Sequence, residues 1–404
     1  MTVTEVSVIL RHVAILSLSP RGKPIDAHVS KPFSPRTHAQ LRSTTVSTPA
    51  SYFRALVSSI LSTKSFGKRL CTSAPVHRIE MIHTQKDVDT FYAENMPAEI
   101  QAQLSTNKDT LSAFLEGVVQ SHPDCPGIAF ITSGGTTVPL EVNAVRFITN
   151  FSSGGRGAHL VEALVERGWA CLLLHHRTSI MPFRRVLHAL STEELFAAVA
   201  STEGAECTPT VTSRAELQRV AELYRRTKGL VHYIAYDTVV EYIFLLELVS
   251  RTLCGTSVPQ VLQQRPCVFF AAAAVSDYYV PLPQMSKEKI SGGNGLTLHL
   301  TNVPKVLRLL REEWLHRAAP DAMQPFIVTF KLETSEEAMK RKAISNLHAY
   351  RCDAVVANLL QSYKEWVLVY TKNGDDSAPV LVRREEAKTI EAALCDSLIS
   401  PSPR

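Results

Sequence analysis

Apolar runs of strand length alternate with helix-like stretches over most of this 404-residue chain, and this alternation constrains the fold more than any other feature. Strands are predicted at 127–132, 169–174, 230–236, 267–275, 326–331 and 353–358. Helices are predicted near 86–95, 108–120, 157–167, 214–227, 238–253, 304–315 and 335–349. Continuous apolar strands joined by helices indicate a mainly parallel sheet that is covered on both faces. The sequence therefore predicts one doubly wound, Rossmann-like α/β domain over residues 125–400.

Two segments alternate between apolar and polar residues instead. They are residues 296–302 (LTLHLTN) and residues 366–382. Such alternation is typical of a strand with one face toward solvent. We therefore predict edge strands or hairpins for both segments.

The first 80 residues differ in composition from the rest of the chain. Residues 1–79 hold eleven Lys and Arg but only two acidic residues, whereas the remainder has four more acidic than basic residues. This basic leader is rich in Ser and Thr and weakly periodic, which is typical of a disordered extension or an organelle transit peptide. A third possibility is that translation of the protein starts at Met81. We expect a disordered extension or a wrong start, with residues 81–404 as the folded domain, in a cytoplasmic protein. Mitochondrial targeting by the leader is the alternative.

Composition also argues against several classes of protein. No run is long and apolar enough to span a membrane, and no basic cluster indicates a nucleic-acid-binding face. The eight cysteines include no C-x-x-C pair, and Cys171 and Cys267 lie inside predicted strands. We therefore expect reduced thiols, no zinc site, and neither a membrane nor a nucleic-acid partner.

Two glycine-bearing turns lie within residues 131–157. The first, Ser133-Gly134-Gly135-Thr136, follows a predicted strand, and the second, SSGGRG (152–157), begins a predicted helix. Glycine lets backbone N–H groups approach a ligand, and a helix N-terminus adds partial positive charge. Such turns also occur for structural reasons alone. Arg146 and Asn150, which lie between the turns, favour the interpretation as a phosphate site.

Three further residues lie at predicted strand ends. Asp277 follows the alanine-rich strand, Phe330 ends the next strand, and Asn358 ends the last parallel strand. Ligands of doubly wound sheets bind at the carboxyl ends of the strands, where the strand order reverses. Each residue also has a structural explanation as a cap, turn or core residue. We nevertheless expect all three to lie with Gly134 at one edge of the sheet.

These segments resemble the phosphopantothenoylcysteine synthetases (phosphopantothenate–cysteine ligases), the coenzyme A pathway enzymes that join 4′-phosphopantothenate to cysteine. The resemblance lies in SGGTTVPLE (133–141), VRFITNFSSGGRG (145–157), FFAAAAVSDYYVP (269–281), KEKISGG (287–293), FIVTFKLET (326–334) and VVANLL (355–360). AAAAVSDYYVP and FKLET are similar to the eukaryotic, free-standing branch, whereas the bacterial form is usually fused to a flavin-dependent decarboxylase. The resemblance implies a ligase that activates phosphopantothenate as an acyl-adenylate. It also implies ATP rather than CTP as the nucleotide, and AMP and pyrophosphate as products.

The resemblance also implies roles for individual residues. Phosphopantothenate is expected to contact Asn150, Ala273, Ala274 and Asp277, and Arg146 from the neighbouring subunit of a homodimer. The nucleotide is expected to contact Gly134, Ser152, Gly154, Gly157, Phe330 and Asn358. The implied catalytic residues are Asn150 and Lys289, with Lys287 close enough to be confused with Lys289. Bacterial relatives carry further lysines where this chain has Ser291-Gly292-Gly293. No acidic cluster stands out as a metal site, so Mg²⁺ is expected to arrive on the nucleotide phosphates.

Two other functions stay open at this point. An NADP-dependent Rossmann oxidoreductase is favoured by His175-His176-Arg177, which could hold a 2′-phosphate, and by the Tyr-x-x-x-Lys pair Tyr224 and Lys228. Against it, SGGT lacks the G-x-G-x-x-G spacing, and YRRTK is typical of a basic helix end. A catalytically silent nucleotide-binding subunit is the second alternative, and the candidate catalytic residues argue against it.

Overall fold

The computed structural model describes residues 83–200, 211–256, 258–293, 295–318, 322–374, 378–385 and 389–399. The predictions about the basic leader (1–80) lie outside these ranges. The strands are β1 (Ile128–Ser133), β2 (Thr137–Pro139), β3 (Phe147–Thr149), β4 (Ala170–His176), β5 (Val231–Tyr236), β6 (Cys267–Ala271), β7 (Tyr278–Tyr279), β8 (Thr301–Asn302), β9 (Phe326–Glu333), β10 (Ala354–Leu359), β11 (Trp366–Thr371) and β12 (Val380–Arg383).

The described helices include segments at all seven predicted positions and five that were not predicted. The helices are α1 (Gln85–Asn95), α2 (Ala98–Ser105), α3 (Asn107–Ser121), α4 (Gly155–Glu166), α5 (Arg185–Ala189), α6 (Thr192–Ala200), α7 (Val211–Arg226), α8 (Val239–Cys254), α9 (Gln260–Gln263), α10 (Leu307–Leu309), α11 (Glu336–Ala349) and α12 (Ile390–Ile399). The five that were not predicted are α2, α5, α6, α9 and α12. A π-helical turn, Leu310–Trp314, continues α10, and its Leu310 and Trp314 are fully buried. No helix of the described ranges has the length and apolarity that crossing a membrane requires.

One sheet contains eight strands in the order β12-β11-β10-β9-β6-β1-β4-β5. The pairs from β5 across to β10 are parallel, and β11 and β12 add an antiparallel hairpin at one edge. The chain runs from β1 to β4 and β5 on one side, then returns to β6 on the other side. The strand order therefore reverses between β1 and β6. The predicted doubly wound sheet and the hairpin within 366–382 are confirmed.

The prediction for residues 296–302 is wrong over most of its length. Only Thr301–Asn302 forms a strand, β8, which pairs with the two residues of β7. Residues 296–300 form neither strand nor helix, and their leucines are exposed. The alternating pattern finds no longer partner strand there, because β7 ends after two residues.

The core lies on both faces of the main sheet. Phe130, Phe269 and Phe270 of β1 and β6 are fully buried beneath the flanking helices. Helix α8 begins at a capping box in which Thr238 Oγ1 accepts from the Glu241 amide at 3.2 Å. These elements hold the carboxyl ends of β1 and β6 side by side, so the residues that follow them meet.

Candidate active site

The first glycine turn lies against the segment that leaves β6. The Thr136 amide donates a hydrogen bond to the Ala274 carbonyl at 3.1 Å, and the Ala274 amide donates to the Gly134 carbonyl at 2.8 Å. The Ala273 amide donates to Thr132 Oγ1 at 3.1 Å. The first glycine turn and the segment that leaves β6 therefore meet where the strand order reverses.

Both glycine turns converge on a serine that the sequence did not reveal. Gly134 and Gly154 have φ of 89° and 79°, a conformation that glycine adopts without strain. A Cβ on Gly134 would lie 2.2 Å from Ser179 Oγ, and one on Gly154 would lie 2.6 Å from Ser179 Cβ. The buried Ser179 hydroxyl has no hydrogen-bond partner among the described residues. The Ser179 hydroxyl is therefore an unpaired polar group between the two turns.

The second glycine turn ends in the N-terminus of α4. Gly154 occupies the N-cap position without a side-chain hydrogen bond to the first turn, and Ser152 is half-buried beside it. Unsatisfied N–H groups at a helix start are suited to binding phosphate. Gly157 contributes differently, because a Cβ there would lie 2.5 Å from Ser133 Cβ. Its lack of a side chain lets α4 pack directly on β1.

Asn150 connects the first glycine turn to the segment that leaves β6. It follows β3, and its amide N–H donates to the Thr136 carbonyl at 3.4 Å. Its side-chain Nδ2 donates to the Val275 carbonyl, also at 3.4 Å. The Asn150 carboxamide thus lies beside the residues predicted to contact phosphopantothenate.

Asp277 lies at the mouth of a cleft of about 210 Å³, which Ala273, Thr329 and Phe330 also line. Its exposed carboxylate forms an ion pair with Lys305. The sequence did not identify Lys305, because it follows Asp277 by 28 residues and no motif marks it.

Phe330 and Asn358 are joined by an arginine that the sequence reasoning also missed. The guanidinium carbon of Arg156 lies 4.9 Å from the centre of the Phe330 ring and 5.8 Å from that of Tyr363. Arg156 Nη1 donates to Asn358 Oδ1 at 3.4 Å, and Nε lies 3.6 Å from a Glu391 carboxylate oxygen. Burial lowers the pKa of Arg156, whereas it raises the pKa of Glu391.

Asn358 itself carries a donor that the protein leaves unused. The residue is 0% exposed, and its Nδ2 has no hydrogen-bond partner among the described residues. A buried amide without a partner is costly. The donor therefore lacks an acceptor among the described residues.

Arg146 lies apart from these residues, on the arm that β2 and β3 form (residues 137–149). Its Nη1 lies 2.8 Å from Glu141 Oε1, and 39% of its side chain is exposed. Its neighbours Val142, Val145 and Phe147 are exposed apolar residues, as is Phe151 just beyond the arm.

Lys287 and Lys289 lie on the segment 285–290, here called the lysine segment, which is neither helix nor strand. Both lysines are exposed, and neither forms an ion pair with a described residue. The lysine segment is attached to the arm, because the Val142 amide donates to the Ser286 carbonyl at 2.9 Å and Asn143 Nδ2 donates to the Lys287 carbonyl at 3.2 Å.

The residues that favoured an oxidoreductase are not arranged for that function. Tyr224 lies in the last turn of α7, and Lys228 lies between α7 and the start of β5, at the opposite edge of the sheet from the glycine turns. Arg177 pairs with Asp237 at 2.9 Å. Burial lowers the pKa of both His175 and His176, which favours their neutral forms and does not favour binding of a 2′-phosphate.

Several known proteins similar to this chain are named phosphopantothenate–cysteine ligases. Residues 128–213 and 256–396 match the family DFP, described as "DNA/pantothenate metabolism flavoprotein C-terminal domain". Phosphopantothenate–cysteine ligase 2 of Oryza sativa subsp. japonica is 38% identical over 277 residues, which cover 68% of this chain and 79% of that protein. Phosphopantothenate–cysteine ligase of Homo sapiens is 34% identical over 287 residues, covering 68% and 85%. A solved structure of a Cab2 mutant in complex with phosphopantothenate-cysteine superposes with a TM-score of 0.61 at 29% identity, covering 76% of this chain and 95% of that one.

Proposed function

The chain belongs to the phosphopantothenate–cysteine ligases of the DFP family, and we infer that it joins 4′-phosphopantothenate to L-cysteine in coenzyme A biosynthesis. The observation that carries this inference is the pair of hydrogen bonds that join Gly134 and Thr136 of the first glycine turn to Ala274, at the reversal of strand order. That contact brings a phosphate-binding turn against the segment expected to hold phosphopantothenate.

The chemistry requires two anions to be held together. A carboxylate does not react with an amine at neutral pH, so the carboxylate of phosphopantothenate first attacks the α-phosphate of a nucleoside triphosphate. Pyrophosphate leaves, and an acyl-nucleotide forms. The cysteine amine then attacks the acyl carbon, the nucleoside monophosphate leaves, and the amine loses a proton. Backbone N–H groups and a cationic side chain stabilise such a crowded anionic transition state.

We propose that the nucleotide is ATP, and that it lies along the start of α4. The N–H groups of the first turn of α4, which Gly154 does not cap with a side chain, and the Ser179 hydroxyl are suited to its phosphates. Phe330 and Tyr363 offer ring faces for the base, and the spare Asn358 amide can donate to a ring nitrogen. CTP could stack there as well, so the preference for ATP rests on the resemblance to eukaryotic relatives.

Phosphopantothenate would lie on the other side of the crevice. Ala273 and Ala274 leave room for the pantothenate arm because their side chains are small. The Asn150 carboxamide is placed to hydrogen-bond the activated carbonyl and orient it toward cysteine. Lys289, or its neighbour Lys287, would supply positive charge to the triphosphate.

We propose that Mg²⁺ enters with the nucleotide. Among the described residues there is no cluster of three or more His, Cys, Asp or Glu that could bind a metal. Mg²⁺ bound to nucleotide phosphates needs few protein ligands, because it retains several waters. The ion would neutralise part of the triphosphate charge while the protein residues orient both substrates.

The arm supports a homodimer as the active form. Phe151 is 84% exposed and Val145 is 59% exposed, and exposed apolar clusters often mark a protein interface. Covering this patch with a second copy would direct Arg146 toward the partner's phosphopantothenate. The exposed guanidinium face of Arg146 is free to reach such a ligand.

The test is pyrophosphate release from purified protein mixed with phosphopantothenate, cysteine and either ATP or CTP. We expect sustained release with ATP, and at most one turnover when cysteine is omitted. Faster initial rates with CTP would overturn the nucleotide assignment. Absence of product with both nucleotides, together with tight NADPH binding by fluorescence, would favour the oxidoreductase instead.

A further inference from the structure

Glu141, the last residue of the SGGTTVPLE block, is a fully buried carboxylate in the loop that joins β2 to β3 of the arm. Four donors converge on it. Oε2 accepts from the amides of Val145 at 3.0 Å and Arg146 at 2.9 Å. Oε1 accepts from Arg146 Nη1 at 2.8 Å and from the Ile290 amide at 3.1 Å. One side chain therefore binds two segments that lie about 150 residues apart in sequence.

These bonds keep the buried carboxylate charged. A carboxylate without water is unstable unless donors satisfy its oxygens. Burial alone raises the pKa of Glu141, but the hydrogen bonds from Arg146, Ile290 and Val145 outweigh it and leave the pKa at about 2. At neutral pH the charge is present, and losing one acceptor oxygen would leave a buried N–H unsatisfied.

The contact with Ile290 fixes the end of the lysine segment. Its other end is held at Ser286, whose carbonyl accepts from the Val142 amide. Lys287 and Lys289 thus lie between two anchor points on the arm, and Glu141 supplies the second. The same carboxylate holds Arg146 through its backbone and its guanidinium.

We propose that Glu141 is a positioning residue for the ligase reaction, which sets the lysine segment and Arg146 with a single buried charge. The proposal rests on the proposed function, in which Lys289 acts in its own subunit and Arg146 in the partner's site. The Glu141 carboxylate would then position Lys289 for the site of its own subunit and Arg146 for the site of the partner. A purely structural role would stabilise the fold without controlling the lysine segment.

The test is Glu141→Gln in the full-length protein, read first by limited trypsin digestion and mass spectrometry without substrate. Glutamine keeps the shape but turns one acceptor into an amide donor, which repels an N–H group. We expect cleavage after Lys287 and Lys289 to rise by roughly tenfold or more, because a charge-assisted anchor is lost. Acyl-adenylate formation should slow by at least roughly tenfold, while the Kd for ATP changes little.

Glu162→Gln is the matched control. Glu162 is also a buried carboxylate, which accepts from the Phe183 amide and Arg185 Nε, both at 2.8 Å, on α4. The Glu162→Gln variant should lose a comparable free energy of unfolding, but cleavage after Lys287 and Lys289 should not rise. If Glu141→Gln does not fold, Glu141→Asp retains the charge but not the reach to all four donors, and it should show the same cleavage pattern.

Unchanged cleavage after Lys287 and Lys289 in the Glu141 variants, or an equal rise in Glu162→Gln, would overturn the proposal. A rise in cleavage with a normal rate of acyl-adenylate formation would reduce Glu141 to a structural anchor. Because digestion requires no substrate, a wild-type protein without ligase activity would contradict the proposed function and leave the digestion result interpretable.

Discussion

The guanidinium of Arg156 lies over the Phe330 ring at 4.9 Å, although 174 positions separate the two residues in sequence. Arg156 is the second residue of α4, whose N-terminus follows the second glycine turn. The helix proposed to bind the phosphates therefore also reaches the aromatic face proposed for the base. Helix α4 would then position both the phosphates and the base of the nucleotide.

Arg156→Met should weaken ATP binding, because methionine retains the packing against the rings but loses the charge and the hydrogen bond to Asn358. We expect the Kd for ATP to rise by roughly tenfold, the scale of one cation–π or charge-assisted contact. Isothermal titration calorimetry measures this. Arg167→Met, the same substitution at the other end of α4, should bind ATP normally, since Arg167 pairs with Asp396. Equal affinity in both variants would contradict the role of Arg156.

Gly157→Ala should destabilise the fold, because the new Cβ would lie 2.5 Å from Ser133 Cβ and 2.4 Å from its Oγ. We expect the free energy of unfolding to fall by about 1–3 kcal/mol. Gly117→Ala is the control, since nothing lies within 4 Å of a Cβ in that interior position of α3. It should instead gain about 0.5–1 kcal/mol, as alanine stabilises a helix relative to glycine. Urea unfolding compares the two, and equal stability changes would contradict the close helix–strand contact.

Glu141 should also make the stability of the fold depend on acidic pH. Its folded-state pKa of about 2 lies below the ordinary value of 4.5. The stabilisation is therefore complete above 4.5 and is lost as the pH falls toward 2. Urea unfolding of wild type and Glu141→Gln should show a constant difference near neutral pH that narrows through this window. A difference that stays constant down to pH 2 would mean that folding does not lower the pKa of Glu141.

The parts of the site that could be predicted from the sequence are those carried by neighbouring residues. The glycine turns and the strand ends follow from local pattern, and parallel strands bring their carboxyl ends to one edge. Arg156 and Ser179 were missed because the residues they meet come from distant segments; Arg156 and Asn358 lie 202 residues apart. Glu141 has local donors in Val145 and Arg146, but its contact with Ile290 lies 149 residues away. The alternation in 296–300 was misleading, since a strand also needs a neighbour with which to pair.

If Arg146 serves the partner's site, two inactive variants should restore activity when combined. Arg146→Ala lacks the arginine supplied to the partner, and Asn150→Asp lacks the amide of its own site. A mixed dimer would contain one site with both residues intact. Co-expression in equal amounts should therefore recover about a quarter of wild-type activity, since half the dimers are mixed and each has one intact site. Mixed dimers can be isolated with tandem tags. If they stay inactive, Arg146 and Asn150 serve the site of the same subunit.

Lys289 and Asn150 should act in different half-reactions. Lys289→Ala removes positive charge from the triphosphate while the α-phosphate is attacked, so acyl-adenylate formation should slow by roughly 10²–10³-fold, the scale of losing one electrostatic stabiliser. Asn150→Asp places a negative charge beside an anionic substrate and removes the amide that orients the activated carbonyl. It should mainly impair the step that consumes the intermediate. Rapid quench with labelled ATP, first without and then with cysteine, separates the two steps.

Lys287→Ala is the control from the same segment, and a larger loss there than in Lys289→Ala would transfer the role to Lys287. If both Lys289→Ala and Asn150→Asp form acyl-adenylate at the normal rate, or neither forms any, this division of roles is wrong.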